Sequence, residues 1–257
     1  MKMRFFFLLV FAQILLFSGQ LFAWGPQGHR IIGEIAFARM NSKTRSVLKK
    51  WLDPMPMDKA STWMDEIRTD RTYDYMKTWH YINTNKGGNY YPGDDPNIIN
   101  ALNKVIDELT RRTIKDKKQI KTDLLVLIHL TGDIHQPLHV GYGTDMGGNS
   151  ISVSFLGKPS NLHKVWDDDI IQVSKITAKD CMNIKDAQIV YKEATMRPDV
   201  VDWMNQSRNL LPGVYDLKKG SIDKSYVSKN TYVIEKQLLL AGARLATLLD
   251  KLLATGY

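Results

Sequence analysis

The sequence predicts an all-α protein: a single, mainly helical domain with irregular loops and at most a small β-hairpin. Most of the chain has apolar residues at the spacing of one helix face, and residues 124–128 are apolar on all sides, as in a buried helix. Strand-like alternation is limited to residues 150–156. With 257 residues, of which 44% are hydrophobic, the chain is long enough for one domain with a sizeable core.

The individual elements follow from these spacings. Asn41 and Ser42 interrupt the first helix and could cap the second, and Pro137 ends the central helix. Residues 70–96 are predicted to be irregular, and the basic residues 111–121 are predicted to form a solvated face and loop. Helices are predicted over residues 27–40, 42–52, 58 or 61 to 68, 98–112, 122–135, 162–173, 184–196, 200–210 and 231–253.

Residues 1–23 have the pattern of a secretory signal peptide. Two basic residues precede the apolar run 5–17, and a short polar stretch leads to Ala23, after which cleavage is expected. The apolar run is shorter than the ~20 residues that a membrane span needs. We therefore expect a single mature domain of residues 24–257, secreted or periplasmic and without a membrane anchor after cleavage. The alternative is an uncleaved anchor.

Charge and cysteine content restrict the partners and the metal chemistry. The chain carries 35 Lys and Arg against 27 Asp and Glu, a net charge of +8. Such a surface favours a polyanionic partner, which could be nucleic acid or an anionic membrane. The one cysteine, Cys181, excludes an intramolecular disulfide and the thiolate zinc sites that need at least two cysteines. A metal in this protein must therefore bind nitrogen and oxygen ligands.

Two histidine–aspartate pairs stand out. His129 and Asp133 are four residues apart, on one face of a helix that is otherwise apolar, where burial is costly unless each group is paired or bound to metal. His163 and Asp167 repeat this spacing, and His139 can turn back to the first pair. A buried hydrogen bond is the alternative for any one pair. Because the sequence contains two such pairs and also His139, we favour a site for more than one metal ion.

The other histidines differ in what their positions indicate. His29, His80 and Asp65 could complete such a cluster, although each by itself is compatible with an ordinary core or surface residue. His135 is six residues from His129 and thus well around the helix. We interpret it as a structural residue or one that supports the ligands.

Several motifs occur in a fixed order along the chain: Trp24-Gly-Pro-Gln-Gly-His29, Trp63-Met-Asp65, Trp79-His80-Tyr81, His129-x3-Asp133-x-His-Gln-Pro-Leu-His139 and Asn-Leu-His163-x2-Trp-Asp167. Together they closely resemble the zinc-dependent single-strand nucleases of the S1/P1 type, whose members also act as 3'-nucleotidases. The resemblance implies a helical fold with a trinuclear zinc cluster at the base of a cleft, as in phospholipase C and these nucleases.

The resemblance also implies a ligand set for three zinc ions per chain. One zinc would be held by Asp65, His80, His129 and Asp133, a second by His139, His163 and Asp167, and a third by His29, Asp133 and the backbone amine and carbonyl of Trp24. Asp133 would thus bridge two zinc ions. Nitrogen and oxygen ligands with open positions are what a catalytic zinc site needs.

The implied reaction is attack of a zinc-bound hydroxide on phosphorus, which leaves a 5'-phosphate product. Asp65 and Asp133 would take part in catalysis as zinc ligands. Arg68 would add positive charge that stabilises the negative transition state. Tyr81 would stack on a base, and Asn83 stands where fungal relatives have an aspartate that contacts the base. The implied substrates are single-stranded DNA, RNA or nucleotides. No stable protein partner is implied, and a monomer is expected.

Two other functions are compatible with part of the pattern. A zinc-dependent phospholipase C shares the three-zinc architecture, but those enzymes resemble one another in having a glutamate at the position of Asp167. A zinc-stabilised binding protein without catalysis would need a closed metal site or the loss of Arg68 or of a bridging carboxylate, and these residues are present.

Overall fold

The computed structural model describes residues 24–88, 90–112, 114, 116–196 and 198–254. The predicted signal peptide, residues 1–23, lies outside the described residues. Within the described part, no helix is long and apolar enough to cross a membrane.

The predicted all-α class is confirmed. The helices are α1 Pro26–Arg39, α2 Ser42–Leu52, α3 Met57–Glu66, α4 Ile98–Arg111, α5 Lys117–Asp133, α6 Leu162–Lys164, α7 Ile170–Ser174, α8 Ala178–Met182, α9 Ala187–Ala194, α10 Val200–Arg208, α11 Leu211–Val214 and α12 Lys224–Leu253. Shorter 3₁₀ segments are Ile67–Thr69, Arg71–His80, Pro137–Val140 and Gly143–Asp145, and Val165–Asp169 is a π-helical turn.

Helix α5 lies in the interior, and the long helix α12 packs against α1 beside it. Residues Leu124 to Asp133 of α5 are all buried, as the all-round apolar pattern predicts. Where α12 crosses α1, a Cβ atom on Gly242 would lie 2.6 Å from Cγ2 of Ile35. The absence of a side chain at Gly242 therefore allows the close approach of the two helices. This contact fixes α1, which carries His29, relative to the core.

Several boundaries differ from the prediction because polar residues cap the helices. Asp116 accepts a hydrogen bond from the backbone of Lys118, so α5 begins at Lys117 and residues 117–121 are helical, not a loop. Asp223 caps α12 in the same way. Helix α12 therefore begins at Lys224, seven residues earlier than predicted. Asp70 caps the 3₁₀ segment Arg71–His80 within the stretch predicted to be irregular.

The small sheet has one strand more than the predicted hairpin. Strands β1 Ser152–Phe155 and β2 Lys158–Asn161 pair antiparallel, with Ser152 opposite Asn161. The two-residue strand β3 Ser221–Ile222 joins the other edge of β1 in parallel. The sheet order is therefore β2-β1-β3. Two residues give no usable alternation, so the sequence pattern could not reveal β3.

Candidate metal centre

The C-terminal end of α5 holds the first group of candidate ligands. His129 and Asp133 are fully buried on the same face, with Nε2 of His129 3.4 Å from Oδ2 of Asp133. Nδ1 of His129 donates to the backbone oxygen of Ser61 at 2.8 Å. Because this bond places the ring proton on Nδ1, it leaves Nε2 as a lone-pair donor directed into the cluster.

Helix α1 brings His29 against this face. Its Nε2 lies 3.1 Å from Oδ1 of Asp133, although not in hydrogen-bond geometry, and its ring stacks on that of His129 at 3.9 Å. A Cβ on Gly132 would lie 3.0 Å from the His29 ring. The glycine therefore makes room for the imidazole.

Trp24 lies at the same place. Its indole nitrogen donates to the backbone oxygen of Gly132 at 3.0 Å, and the next residue, Gly25, donates its N–H to the backbone oxygen of Asp167 at 2.9 Å. These contacts place the backbone of Trp24 beside residues of the cluster. Its predicted role as a ligand through amine and carbonyl stays a prediction.

Asp65 and His80 approach from the other side. Asp65 lies in the last turn of α3, and its Oδ1 lies 3.8 Å from Nε2 of His129 and 4.0 Å from Nδ1 of His80. His80 ends the 3₁₀ segment, and its Nδ1 lies 3.0 Å from Oδ2 of Asp133. The sequence predicted these residues to join the cluster, and the fold brings them together.

A second group is formed by His139, His163 and Asp167. Nε2 of His163 lies 3.1 Å from Oδ2 of Asp167 and 3.2 Å from Nε2 of His139. The backbone oxygens of His80 and Gly147 accept hydrogen bonds from Nδ1 of His139 and of His163, at 2.7 and 2.6 Å. As for His129, these bonds direct Nε2 of each ring to the site.

The donor set fits divalent metal ions. Among the described residues, three groups have ligand atoms within 4.8 Å of one another: His29, His129 and Asp133; Asp65, His80 and His129; and His139, His163 and Asp167. Both ring nitrogens of His29, both oxygens of Asp65 and Oδ1 of Asp133 are buried without a hydrogen-bond partner in the described part of the chain. Buried polar atoms are costly unless they are satisfied, and a cation would satisfy these atoms.

Burial and charge shift the pKa values of these groups. Burial lowers the pKa of His29 and His80, and it lowers that of His139 to about 3. Burial also opposes protonation of His129, but the nearby carboxylates outweigh it and raise its pKa to about 9. Burial raises the pKa of Asp167 to about 6. A neutral imidazole is the form that binds a metal ion, so the environment of the first three histidines favours metal binding.

A cleft of about 100 Å³ opens beside the cluster. It is lined by Arg68, His80, Tyr81, Asn83, Leu138, His139, Met146, Asn149 and His163. Nη1 of Arg68 lies 3.5 Å from Oδ1 of Asp65. The predicted contact residues Arg68, Tyr81 and Asn83 thus share one cleft with candidate metal ligands.

The sequence analysis missed three residues of this cleft, Leu138, Met146 and Asn149. Met146 and Asn149 lie on the turn after the 3₁₀ segment Gly143–Asp145, where Met146 has φ 53° and Gly147 and Gly148 also have positive φ. The Gly-Gly-Asn sequence predicts a turn, but it does not show where in the folded protein the turn lies. The side-chain amide of Asn149 donates to the backbone oxygen of Met146 at 2.8 Å, so its carbonyl oxygen is available as an acceptor.

The interpretation of His135 as a structural residue agrees with its contacts. Its Nδ1 donates to the backbone oxygen of Thr131 at 2.7 Å, and its Nε2 accepts from the buried Arg244 at 2.7 Å. The ring therefore points to α12 and away from the cluster.

Comparison with known proteins agrees with this architecture. Residues 24–254 match the family model described as S1/P1 Nuclease. Endonuclease 2 of Arabidopsis thaliana is 30% identical over 168 residues, which are 59% of this chain and 57% of that protein. Endonuclease 4 of the same plant is 26% identical over 291 aligned residues, 95% of each chain. Nuclease S1 of Aspergillus oryzae is 26% identical over 160 residues, 58% of this chain and 55% of that protein.

The alignments with Endonuclease 2 and Nuclease S1 thus span little more than half of those proteins, whereas the alignment with Endonuclease 4 spans nearly all of it. The family match covers all the candidate ligands, from Trp24 to Asp167. On this match, the chain belongs to the S1/P1 nuclease family.

Proposed function

We propose that this protein is a secreted, zinc-dependent endonuclease that hydrolyses single-stranded DNA and RNA to 5'-phosphate products and also acts as a 3'-nucleotidase. The observation that carries the proposal is the convergence of eight buried or nearly buried His and Asp side chains beside a cleft that contains Arg68 and an aromatic ring. The names of the plant and fungal relatives support an endonuclease.

The ligands would divide among three zinc ions. Asp65, His80, His129 and Asp133 would hold one, His139, His163 and Asp167 a second, and His29, Asp133 and the backbone of Trp24 a third. When bound, zinc supplies Lewis acidity and makes water a nucleophile near neutral pH. We favour zinc because the donors are imidazole nitrogens and carboxylate oxygens in a largely buried pocket, a set that zinc accepts.

The side chains around the cleft would bind and orient the substrate. The guanidinium of Arg68 would face the phosphate, where charge accumulates in the transition state. The half-buried ring of Tyr81 would stack on a base, and the amides of Asn83 and Asn149 would contact the base edge. Stacking tolerates any base, so the cleft fits a flexible single strand with little sequence preference.

The backbone carbonyl groups of Ser61, His80 and Gly147 would orient three of the histidine ligands. Each accepts the Nδ1 proton of one imidazole and fixes the direction of its Nε2 atom. Such supporting bonds hold a metal site in one geometry while substrate binds.

The test uses purified protein that begins at Trp24. We expect close to three zinc ions per chain by elemental analysis, cleavage of single-stranded DNA and RNA much faster than of duplex DNA, and 5'-phosphate ends on the products. A His163→Ala variant purified in the same way controls for contaminating nucleases. Hydrolysis of phosphatidylcholine without cleavage of single-stranded DNA would instead indicate a phospholipase, and neither activity in zinc-loaded protein would indicate a binding protein.

A further inference from the structure

A basic groove lies at the opposite end of α5 from the metal centre. The groove, of about 840 Å³, is lined by Val47, Lys50, Trp51, Asp53, Arg112, Ile114, Lys117, Lys118, Ile120 and Lys121. Lys117 begins α5 and Asp133 ends it, so the groove and the metal centre are about 24 Å apart along the helix axis. The groove is therefore distinct from the cleft with the candidate ligands.

The groove carries positive charge that the described part of the chain does not neutralise. Lys50, Lys117 and Lys118 are exposed, and none of them has a carboxylate partner among the described residues. Lys121 donates to the backbone oxygens of Leu52 and Asp53, at 2.8 and 2.9 Å, which ties α5 to the end of α2. Asp53 is the one acidic residue of the lining.

The lining of the groove contains an aromatic ring. Trp51 is partly exposed and lies among the partly exposed apolar side chains Val47 and Ile114. Lysines around a partly exposed indole are the combination that binds single-stranded nucleic acid, since the lysines contact phosphates and the ring stacks on a base. An interfacial membrane site would need a face of large, fully exposed apolar side chains, whereas these three are each only partly exposed.

An aromatic surface lies beside the metal centre. The 3₁₀ segment Arg71–His80, which ends at a candidate ligand, carries Tyr75, 57% exposed, with its ring 5.4 Å from that of Trp79. The segment packs against α4 and against α5, the helix that begins at the groove and ends at the metal centre.

We propose that the basic groove is a second binding site for the single-stranded nucleic acid substrate, which holds a part of the strand remote from the bond that is cut. The proposal rests on the proposed function, because the strand is the substrate of the metal centre. The groove would bind long strands and would not affect substrates too short to reach it.

The test compares two double variants with the zinc-loaded wild type. Lys117→Ala/Lys118→Ala removes two charges from the groove. Lys179→Ala/Lys192→Ala removes two exposed charges from α8 and α9 and is the matched control, because it gives the same net charge. The probes are fluorescein-labelled oligothymidylates of twenty and three nucleotides with phosphorothioate linkages, which resist cleavage. Binding is measured by fluorescence anisotropy at several salt concentrations.

We expect the groove variant to bind the 20-mer roughly tenfold more weakly at low salt, with the slope of log K against log salt reduced by about 1.4, which corresponds to two lost phosphate contacts. Binding of the trimer and its cleavage, measured with ordinary linkages, should not change. The control variant should bind both probes like the wild type. A Trp51→Leu variant with a wild-type melting curve should also lose affinity for the 20-mer, by about fivefold.

Equal affinity and salt slope for the 20-mer in the groove variant and the wild type would overturn the proposal. Equal losses in the groove and control variants would overturn it as well, because they would show an effect of net charge alone. Loss of binding to phosphatidylglycerol vesicles without loss of binding to the 20-mer would assign the groove to a membrane. Failure of the wild type to cleave single strands would contradict the proposed function, whereas the anisotropy measurements test the groove independently.

Discussion

Oδ1 of Asp133 lies 3.1 Å from Nε2 of His29, while Oδ2 of the same carboxylate faces His80 and His129. One carboxylate therefore contacts imidazoles that arrive on α1, on the 3₁₀ segment Arg71–His80 and on α5. This arrangement connects three elements that are remote in sequence, and under the proposed function it would let a single side chain hold two metal ions.

Replacement of Asp133 should therefore cost far more activity than loss of the base-stacking ring. Asp133→Asn removes negative charge from two metal positions, so we expect turnover to fall by at least about 10³-fold together with loss of zinc. Tyr81→Ala removes stacking worth about 1–3 kcal/mol and should retain the zinc content. Turnover and zinc content are measured for both variants. Comparable losses of turnover would contradict a bridging role.

Removal of metal should destabilise the fold as well as abolish cleavage. The candidate ligands connect α1, α3, α5 and the π-helical turn Val165–Asp169, and a ligand that binds only the folded state stabilises it by mass action. At a zinc concentration 1,000 times the dissociation constant, one site contributes about 4 kcal/mol. We expect the melting temperature to fall by roughly 10 °C after chelation. Added zinc should restore the melting temperature. An unchanged melting temperature in protein shown to be metal-free would contradict the prediction that metal binding stabilises the fold.

Activity should require a free amine on Trp24. The contacts of Trp24 and Gly25 hold this backbone beside the cluster, with Gly132 and Asp167 as partners. An amide nitrogen is a poor ligand because its lone pair is delocalised, whereas an α-amine with a pKa near ~8 loses its proton readily to a metal. Protein that begins at Trp24 should bind one zinc more, and cleave faster, than protein with one additional Ala before it.

The two proteins should have the same circular dichroism spectrum, which controls for misfolding. Equal zinc content and equal cleavage of single strands by both would eliminate the predicted amine ligand. Retention of the other two zinc ions in the extended protein is expected, because their ligands do not include Trp24.

The buried carboxyl of Asp123 should lower stability at neutral pH. Asp123 is 1% exposed, accepts a hydrogen bond from Gln119 at 2.7 Å, and burial raises its pKa to about 6. Because the folded-state pKa lies above the unfolded value near ~3.9, the folded protein binds the proton more tightly, and stability falls as pH rises between these two values. Asp123→Asn should therefore stabilise the protein by about 1–2 kcal/mol above pH ~6.

Thermal unfolding of wild type and Asp123→Asn from pH 4.5 to pH 8 checks this. The gain should be largest above pH ~6 and should shrink as the pH falls toward ~4, since the carboxyl is then neutral in the folded state and becomes protonated in the unfolded state as well. The exposed Asp94→Asn should give no such difference. A gain that is independent of pH, or a loss, would show that the charge of Asp123 is not the cause.

The sequence predicted those features that depend on neighbouring residues. The apolar spacing predicted the longer helices but not the short helices α8 and α11. The four-residue spacing of His129 and Asp133, and of His163 and Asp167, placed each pair on one helix face. The capping of α2 by Asn41 was also predicted and is confirmed. These features are local because the repeat of a helix and the reach of a capping side chain extend over only a few residues.

The tertiary structure decided which distant residues meet. The packing of α12 on α1 at Gly242, and the room that Gly132 leaves for His29, bring α1 against the end of α5. The turn that places Met146 and Asn149 in the cleft and the groove around Trp51 likewise depend on contacts between separate elements. By itself the sequence determined the helical class, the ligand types and their local spacing. The distances within the cluster were decided by side-chain packing, because the approach of two helices depends on the shapes of both surfaces.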